Sequence, residues 1–269
     1  MQDRYAFDQG DYSKVGLVRH LGRDARRRIG LLWYANRPTR TEATNGDGRH
    51  LTYLTRSDDL AACDRELHAA WARAWGRVPR SIASLEAHTP WPRGMRFFSE
   101  PVPTRDTERD TWFGRALRAL DGCQLVFCDP DNGIARPGTA AAAGPSPKHA
   151  LLHELDALLG TGASVVAYHH CDRSAPHAEQ AMQWRALCRA RWPGLADAVP
   201  VRYRRGSGRL YLVLVQTRHE QWLRDGLAAL HAGPWVRGGH FTLDTAGEQP
   251  TASVSGPRLR TLPRARPAR

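Results

Sequence analysis

The chain has 269 residues, 41% hydrophobic and 25% charged, which suits a globular protein of one large domain, with or without a small appendage. No apolar run approaches the ~20 residues of a membrane span and the first residues lack a signal-peptide core, so no membrane association and a cytoplasmic location are the expectations. The net charge of +12 suggests nucleic acid or a nucleotide as partner, but of 39 basic residues only Lys14 and Lys148 are lysine, which looks like coding bias as much as selection for phosphate binding.

The five cysteines are odd in number and form no C-x-x-C pair, which argues for reduced, packed thiols. The first element is an extended entry followed by an amphipathic helix over roughly Ser13–Arg26, capped by Asp11 or Ser13. Lys14 then falls in the first turn, where a positive charge opposes the helix dipole and so hints at function. Ile29–Ala35 reads as a central strand leading into a loop that carries Asp47, Gly48, Arg49 and His50; the loop has no G-x-G-x-x-G and Asn45-Gly-Asp-Gly48 is equally a good turn. Asp58–Trp75 reads as one long helix with Ser57 as its cap. Arg80–His88 reads as a short strand ending on Glu86, a position where an acid can grip a ribose. Residues 89–109 are irregular apart from a candidate edge strand at Met95–Phe98, and Trp112–Leu120 is a helix.

Leu125-Val-Phe-Cys-Asp-Pro-Asp-Asn-Gly-Ile134 follows, a buried parallel strand running into a turn with two acids and an amide. In open α/β sheets ligands sit beyond the carboxyl ends of the strands, which makes this turn the site candidate, although Asp, Asn and Gly are also ordinary turn residues. Ala135–Pro147 reads as a flexible flap, Lys148–Leu159 as a helix, and Ala163–His170 as another strand ending in His169 and His170, of which alternation lets one face a given site. A helix at His177–Trp192, a hairpin of Ala198–Arg205 with Arg209–Gln216, and a helix at His219–His231 complete the pattern. The expected architecture is a three-layer α/β sandwich on a mostly parallel Rossmann-like sheet with an antiparallel C-terminal hairpin, as one domain over residues 1–235. Residues 236–269, Pro/Gly-rich and with five arginines between Arg258 and Arg269, are expected to be a disordered basic tail.

In this order of elements the chain resembles the Rossmann-fold S-adenosylmethionine methyltransferases, in particular the bacterial 23S rRNA adenine-N6 methyltransferases of the J type. Tyr5…Gln9-Gly10-Asp11…Lys14 is a loose counterpart of that family's Tyr…His-Ala-Gly-Asn…Lys segment, and Asp129-Pro130-Asp131-Asn132 of its Asp-Pro-Pro-Tyr. The resemblance implies methyl transfer to a nucleic-acid amino group. Asp129 would accept from the target amine with the Pro130 carbonyl as second acceptor, Asp131 and Asn132 would complete the catalytic turn, and Lys14 would position or handle protons. Glu86 would hold the cofactor ribose, with Trp33, Asp47 and Gly48 walling the cofactor pocket. Lys148, His169, Arg204 and Arg205 are the expected substrate contacts. Two departures stand out: the family's base-stacking aromatic is Asn132 here, and its third residue has become the charged Asp131.

Two other readings fit the same residues. Asp129 and Asp131 with Glu154 or His169 could hold Mg²⁺ or Mn²⁺ in a phosphodiester hydrolase, with Lys148 stabilising developing charge. A non-catalytic module could instead bind nucleic acid through Arg204, Arg205, Arg209 and the tail.

Overall fold

The computed structural model describes residues 1–36, 48, 50–56, 59–136, 146–205 and 208–244. Four short stretches of parallel strand form one half of a seven-stranded sheet: β1 (Ile29–Trp33), β2 (Arg96–Phe98), β3 (Leu125–Asp129) and, after the small pair β4 (Gly133–Ile134) and β5 (His149–Ala150), β6 (Ser164–His170). The other half contains β7 (Asp197–Tyr203), β8 (Arg209–Val215) and β9 (Phe241–Leu243). The order across the sheet is β2-β1-β3-β6-β8-β7-β9. Strand β8 runs antiparallel to both β6 and β7, so β7 points the same way as β1, β3 and β6, and β8 is a single reversed strand inserted between them. This is the Rossmann-like, methyltransferase-type α/β sheet that the sequence predicts, with β9 added antiparallel to β7 at one edge.

Every residue of β1 and β3 is buried, because helices cover both faces. Alternation divides the strand residues between two cores. Leu31, Phe127, Val166 and Tyr211 face the layer of α1 (Gln9–Leu21), α2 (Asp59–Cys63), α3 (Arg65–Ala74), α4 (Ile82–His88), and, later in the chain, α8 (Glu220–His231) and α9 (Pro234–Arg237). Leu32, Val126, Cys128 and Val165 face α5 (Asp106–Ala119), α6 (Leu152–Gly160) and α7 (His177–Arg191). The five cysteines are free and buried, as their number suggests. No helix among the described residues is long and apolar enough to cross a membrane.

Several expected elements differ. The first helix begins at Gln9, since the Asp8 carboxylate accepts the Asp11 amide and caps it one turn earlier than Asp11 or Ser13 would. Lys14 therefore sits in the second turn, beyond the dipole penalty of the first. The helix expected over Asp58–Trp75 is broken at Asp64, whose side chain caps α3 through the Leu67 amide. Arg80–His88 is α4 and not a strand: Ser81 caps it, and Ile82 and Leu85 bury one helical face. The helix expected from Lys148 starts at Leu152, because His149 and Ala150 pair with Gly133 and Ile134. The boundary expected at 235 lies inside a packed unit, since Trp235 and Phe241 are buried and β9 hydrogen-bonds to β7. Asp47, Arg49, Ser57, most of the expected flap and the tail after Asp244 lie outside the described residues.

Candidate active site

Register builds the site. Trp33 lies beside Asp129 on neighbouring strands, Cys128 beside Ala167, and Tyr168 beside Tyr211, so Trp33, Asp129, Tyr168 and Tyr211 form a row at one end of one face. His170 pairs with Arg209 one step further out. The chain leaves β1 toward β2 and returns past it to β3, which makes the β1/β3 junction the point where strand order reverses and the crevice where ligands collect. The N-terminal end of α1 packs over this row.

Asp129 is 1% exposed, and its Oδ2 accepts from Lys14 Nζ at 2.7 Å. Lys14 is held from the other side by Asp11 Oδ1 at 2.8 Å, one helical turn before it, and the Trp33 and Tyr168 rings lie 5.9 and 5.6 Å from its nitrogen. Burial by itself would lower the Lys14 pKa, but the Asp11 and Asp129 carboxylates outweigh it and hold the ammonium well above the ordinary lysine range. Asp131 takes a hydrogen bond from Gln2 Nε2 at 2.9 Å, and the Met1 ammonium lies 3.9 Å from it.

These groups line a cavity of about 390 Å³, a size that suits a small-molecule site. Asp8, Asp11, Asp129 and Asp131 contribute four carboxylates to its wall, against the cations Lys14 and Arg209 and the Met1 ammonium. Gly48 closes one side. Its φ is +74°, and a Cβ there would stand 2.7 Å from the Arg4 carbonyl oxygen, so only glycine fits.

The turn after β3 is fixed by its backbone. Asn132 donates its amide to the Lys148 carbonyl at 2.8 Å, Ala135 to Ala150, and Ile134 to His169 Nδ1 at 3.2 Å. Gly133 has φ +101°, and a Cβ on it would lie 2.6 Å from that same imidazole nitrogen.

Of the residues expected to be catalytic, Asp129, Asp131, Asn132 and Lys14 all line the cavity. Of the expected cofactor residues, Gly48 does. Trp33 lies beneath the site and donates its indole N–H to Glu86 at 2.9 Å, while Glu86 belongs to α4 and not to a strand end. Burial pushes the Glu86 carboxyl up despite that bond.

None of the four expected substrate contacts lines the cavity. Lys148 meets the turn through its backbone carbonyl, Arg204 is exposed, and Arg205 pairs with Asp59. His169 points to the opposite face, packs at 4.6 Å on Trp184, and is pushed down to about 4 by burial, so it is a neutral acceptor for the turn. The side chain facing the cavity is that of His170.

The expected metal set is not assembled. Glu154 is fully buried on the other side of the sheet, where it accepts from Arg109, the Tyr34 hydroxyl and the Leu151 amide. Among the described residues no three His, Cys, Asp or Glu side chains are grouped to hold a metal ion.

Asp8 and Tyr168 also line the cavity, although their local pattern does not mark them for it, and so does Arg209, expected only as a nucleic-acid contact of a non-catalytic module. For Tyr168 and Arg209 the signal lies in strand alternation once the register is known; for Asp8 it lies in the three-residue capping spacing to Asp11.

The sequence matches no family model and no curated protein. Among solved structures, human methyltransferase-like protein 13 in complex with SAH is similar at 11% identity, over 91% of this chain and 97% of that one, with a TM-score of 0.33. A likeness of that order leaves the chemistry to this chain's own residues.

Proposed function

We propose that this protein transfers a methyl group from S-adenosylmethionine to an amino group, with nucleic acid as the carrier of that amine. One observation carries the reading: a buried Asp-Pro pair, Asp129-Pro130, at the carboxyl end of β3, facing a cavity at the point where strand order reverses, in a sheet with the reversed strand β8 inserted between β6 and β7.

Asp129 already holds a protonated amine, that of Lys14, at hydrogen-bond distance. An acceptor amine would take the same carboxylate, with the Pro130 carbonyl as second acceptor, and this orients the nitrogen lone pair toward the methyl group. The cofactor would supply that group as an electrophilic methyl sulfonium. Gly48, with no room for a side chain, and the Asp129–Asn132 turn fit such a group, and the carboxylates of the wall suit its ammonium and sulfonium charges. Trp33 and Glu86, committed to each other, would act only from beneath.

The cavity also constrains the substrate. Its acids and cations roughly balance and leave no net positive charge to draw in a phosphate, so a nucleic acid would keep its backbone outside and present a flipped or single-stranded base. The net charge of +12 supports a polyanionic partner at the surface. The metal-hydrolase reading has no ligand cluster among the described residues to support it.

Titration calorimetry with S-adenosylmethionine, followed by transfer of labelled methyl to total RNA and DNA, tests the proposal. Saturable heat and incorporation are expected, with Asp129→Asn lowering turnover on the order of 10²–10³-fold by removing a charge-assisted acceptor. No heat at high micromolar cofactor would reject it.

A further inference from the structure

Lys14 bridges two carboxylates that are not equivalent. Asp129 stands beside Pro130 where an acceptor would lie, whereas Asp11 stands behind the lysine on α1. Asp11 Oδ1 receives Lys14, but its Oδ2 is buried with no hydrogen-bond partner, a costly state for a carboxylate. The structure does not relieve that cost, although Asp11 lines the cavity.

We propose that Asp11 is the proton store of this site, a positioning residue that acts through Lys14 and takes up the proton which the acceptor amine must lose. The proposal rests on the methyl-transfer reading. In the step, the amine lone pair forms the new N–C bond and the sulfonium sulfur keeps the electron pair of the bond that breaks. The nitrogen then carries one proton too many and gives it to Asp129. Lys14 takes that proton as it passes one of its own to Asp11, which releases it through the cavity to solvent. All charges and protons are accounted for, and Lys14 ends as it began.

The surroundings of Asp11 support a proton-accepting role. Asp8, the cap of the same helix, and Asp129 on β3 add negative charge, and Asp131 lies across the cavity. Arg80 and the neutral Tyr53 face it from the segments beside α1, and the Met1 ammonium lies within its field. His50, His170, Tyr168 and Arg209 complete the cavity wall. Burial, opposed by Lys14 and aided by Asp8 and Asp129, pushes the Asp11 carboxyl up to about 7, so it can take and release a proton near neutral pH.

Two measurements on wild type, Asp11→Asn and Asp11→Glu test the proposal. In turnover against pH, the wild type is expected to lose rate below about pH 7 as Asp11 becomes protonated. Asp11→Asn should be at least about tenfold slower and flat from pH 6 to 8, with Asp11→Glu restoring the limb. An unchanged acid limb in Asp11→Asn overturns the proposal.

The second readout needs no activity. A carboxyl raised in the fold binds a proton that the unfolded chain has released, so its contribution to stability declines between the unfolded value and about pH 7. The difference in melting temperature between Asp11→Asn and wild type should therefore move in the variant's favour as pH rises from 5 to 8. A difference that stays constant overturns the assignment of Asp11 even if methyl transfer is found. A shifting difference without any methyl transfer removes the methyl-transfer reading, and the proton role with it, while leaving Asp11 a titrating group. Should Asp11→Asn fail to fold, Asp11→Ser takes its place in both series.

Discussion

Glu154 and Arg109 illustrate how far a side chain's role depends on the face it occupies. Glu154 lies in the first turn of α6, which follows the acidic loop, and spacing alone allows it to reach the site. In the fold it accepts Arg109 Nε at 2.8 Å, and its other oxygen accepts the Tyr34 hydroxyl at 3.0 Å and the Leu151 amide at 2.8 Å. Both partners of the ion pair are almost wholly excluded from water, at 3% and 0% exposure. Removing one partner strands the other, so Glu154→Ala is expected to cost about 3–5 kcal/mol in urea denaturation, whereas replacing both with apolar residues of similar volume should recover most of that. Equal losses in the single and double variants would show that the pair's geometry, and not its charge balance, dominates. His169 belongs to the same class: chemically a candidate for catalysis, it holds the backbone of Ile134 with a neutral ring.

At the level of elements, long apolar strands are legible in the sequence and short ambiguous ones are not. Leu125–Asp129 reads as buried strand in any frame, because five consecutive residues must be covered on both faces. Arg80–His88 carries too few apolar residues to separate a period of 2 from one of 3.6, and the Ser81 cap decides it for helix. That choice moves Glu86 from a strand end to a helix. Lys148–Ala150 escapes for another reason: its conformation is set by pairing with the turn after β3, across a sequence separation of 16 residues, as from Gly133 to His149. The turn itself gives a direct test. A methyl group at Gly133 would meet His169 at 2.6 Å while the backbone holds a φ of +101° that L-residues avoid. Gly133→Ala is expected to lower stability by on the order of 1–3 kcal/mol and to reduce turnover by displacing Asp129 and Asp131. Thermal melting and turnover measured together check this; a variant with wild-type values in both would mean the turn relaxes freely.

Over the whole molecule, the sheet's order explains why the site sits where it does, and local composition explains why the end of the domain is hard to read. Glycine, proline and charge after Gly233 look like a tail, yet Trp235 and Phe241 are buried against each other with ring centroids 5.1 Å apart, and Phe241 also packs on Tyr203 and Tyr211. Tertiary pairing with β7 overrides the local composition. A chain ending at residue 235 should lose the ~1.5–3 kcal/mol from burial of Phe241 and expose the edge of β7 to self-association. A chain ending at 244 keeps β9 and the packing of Trp235 on Phe241, and should melt within a few degrees of the 269-residue chain. The same shorter chain tests the polyanion expectation, because the residues it lacks include five arginines and a single acid. If those arginines neutralise phosphates, its nucleic-acid affinity should depend less steeply on salt, with the slope falling by about 0.7–0.9 for each phosphate left without its arginine. An unchanged slope would place the phosphate-binding groups within residues 1–244 and remove the five arginines from the argument.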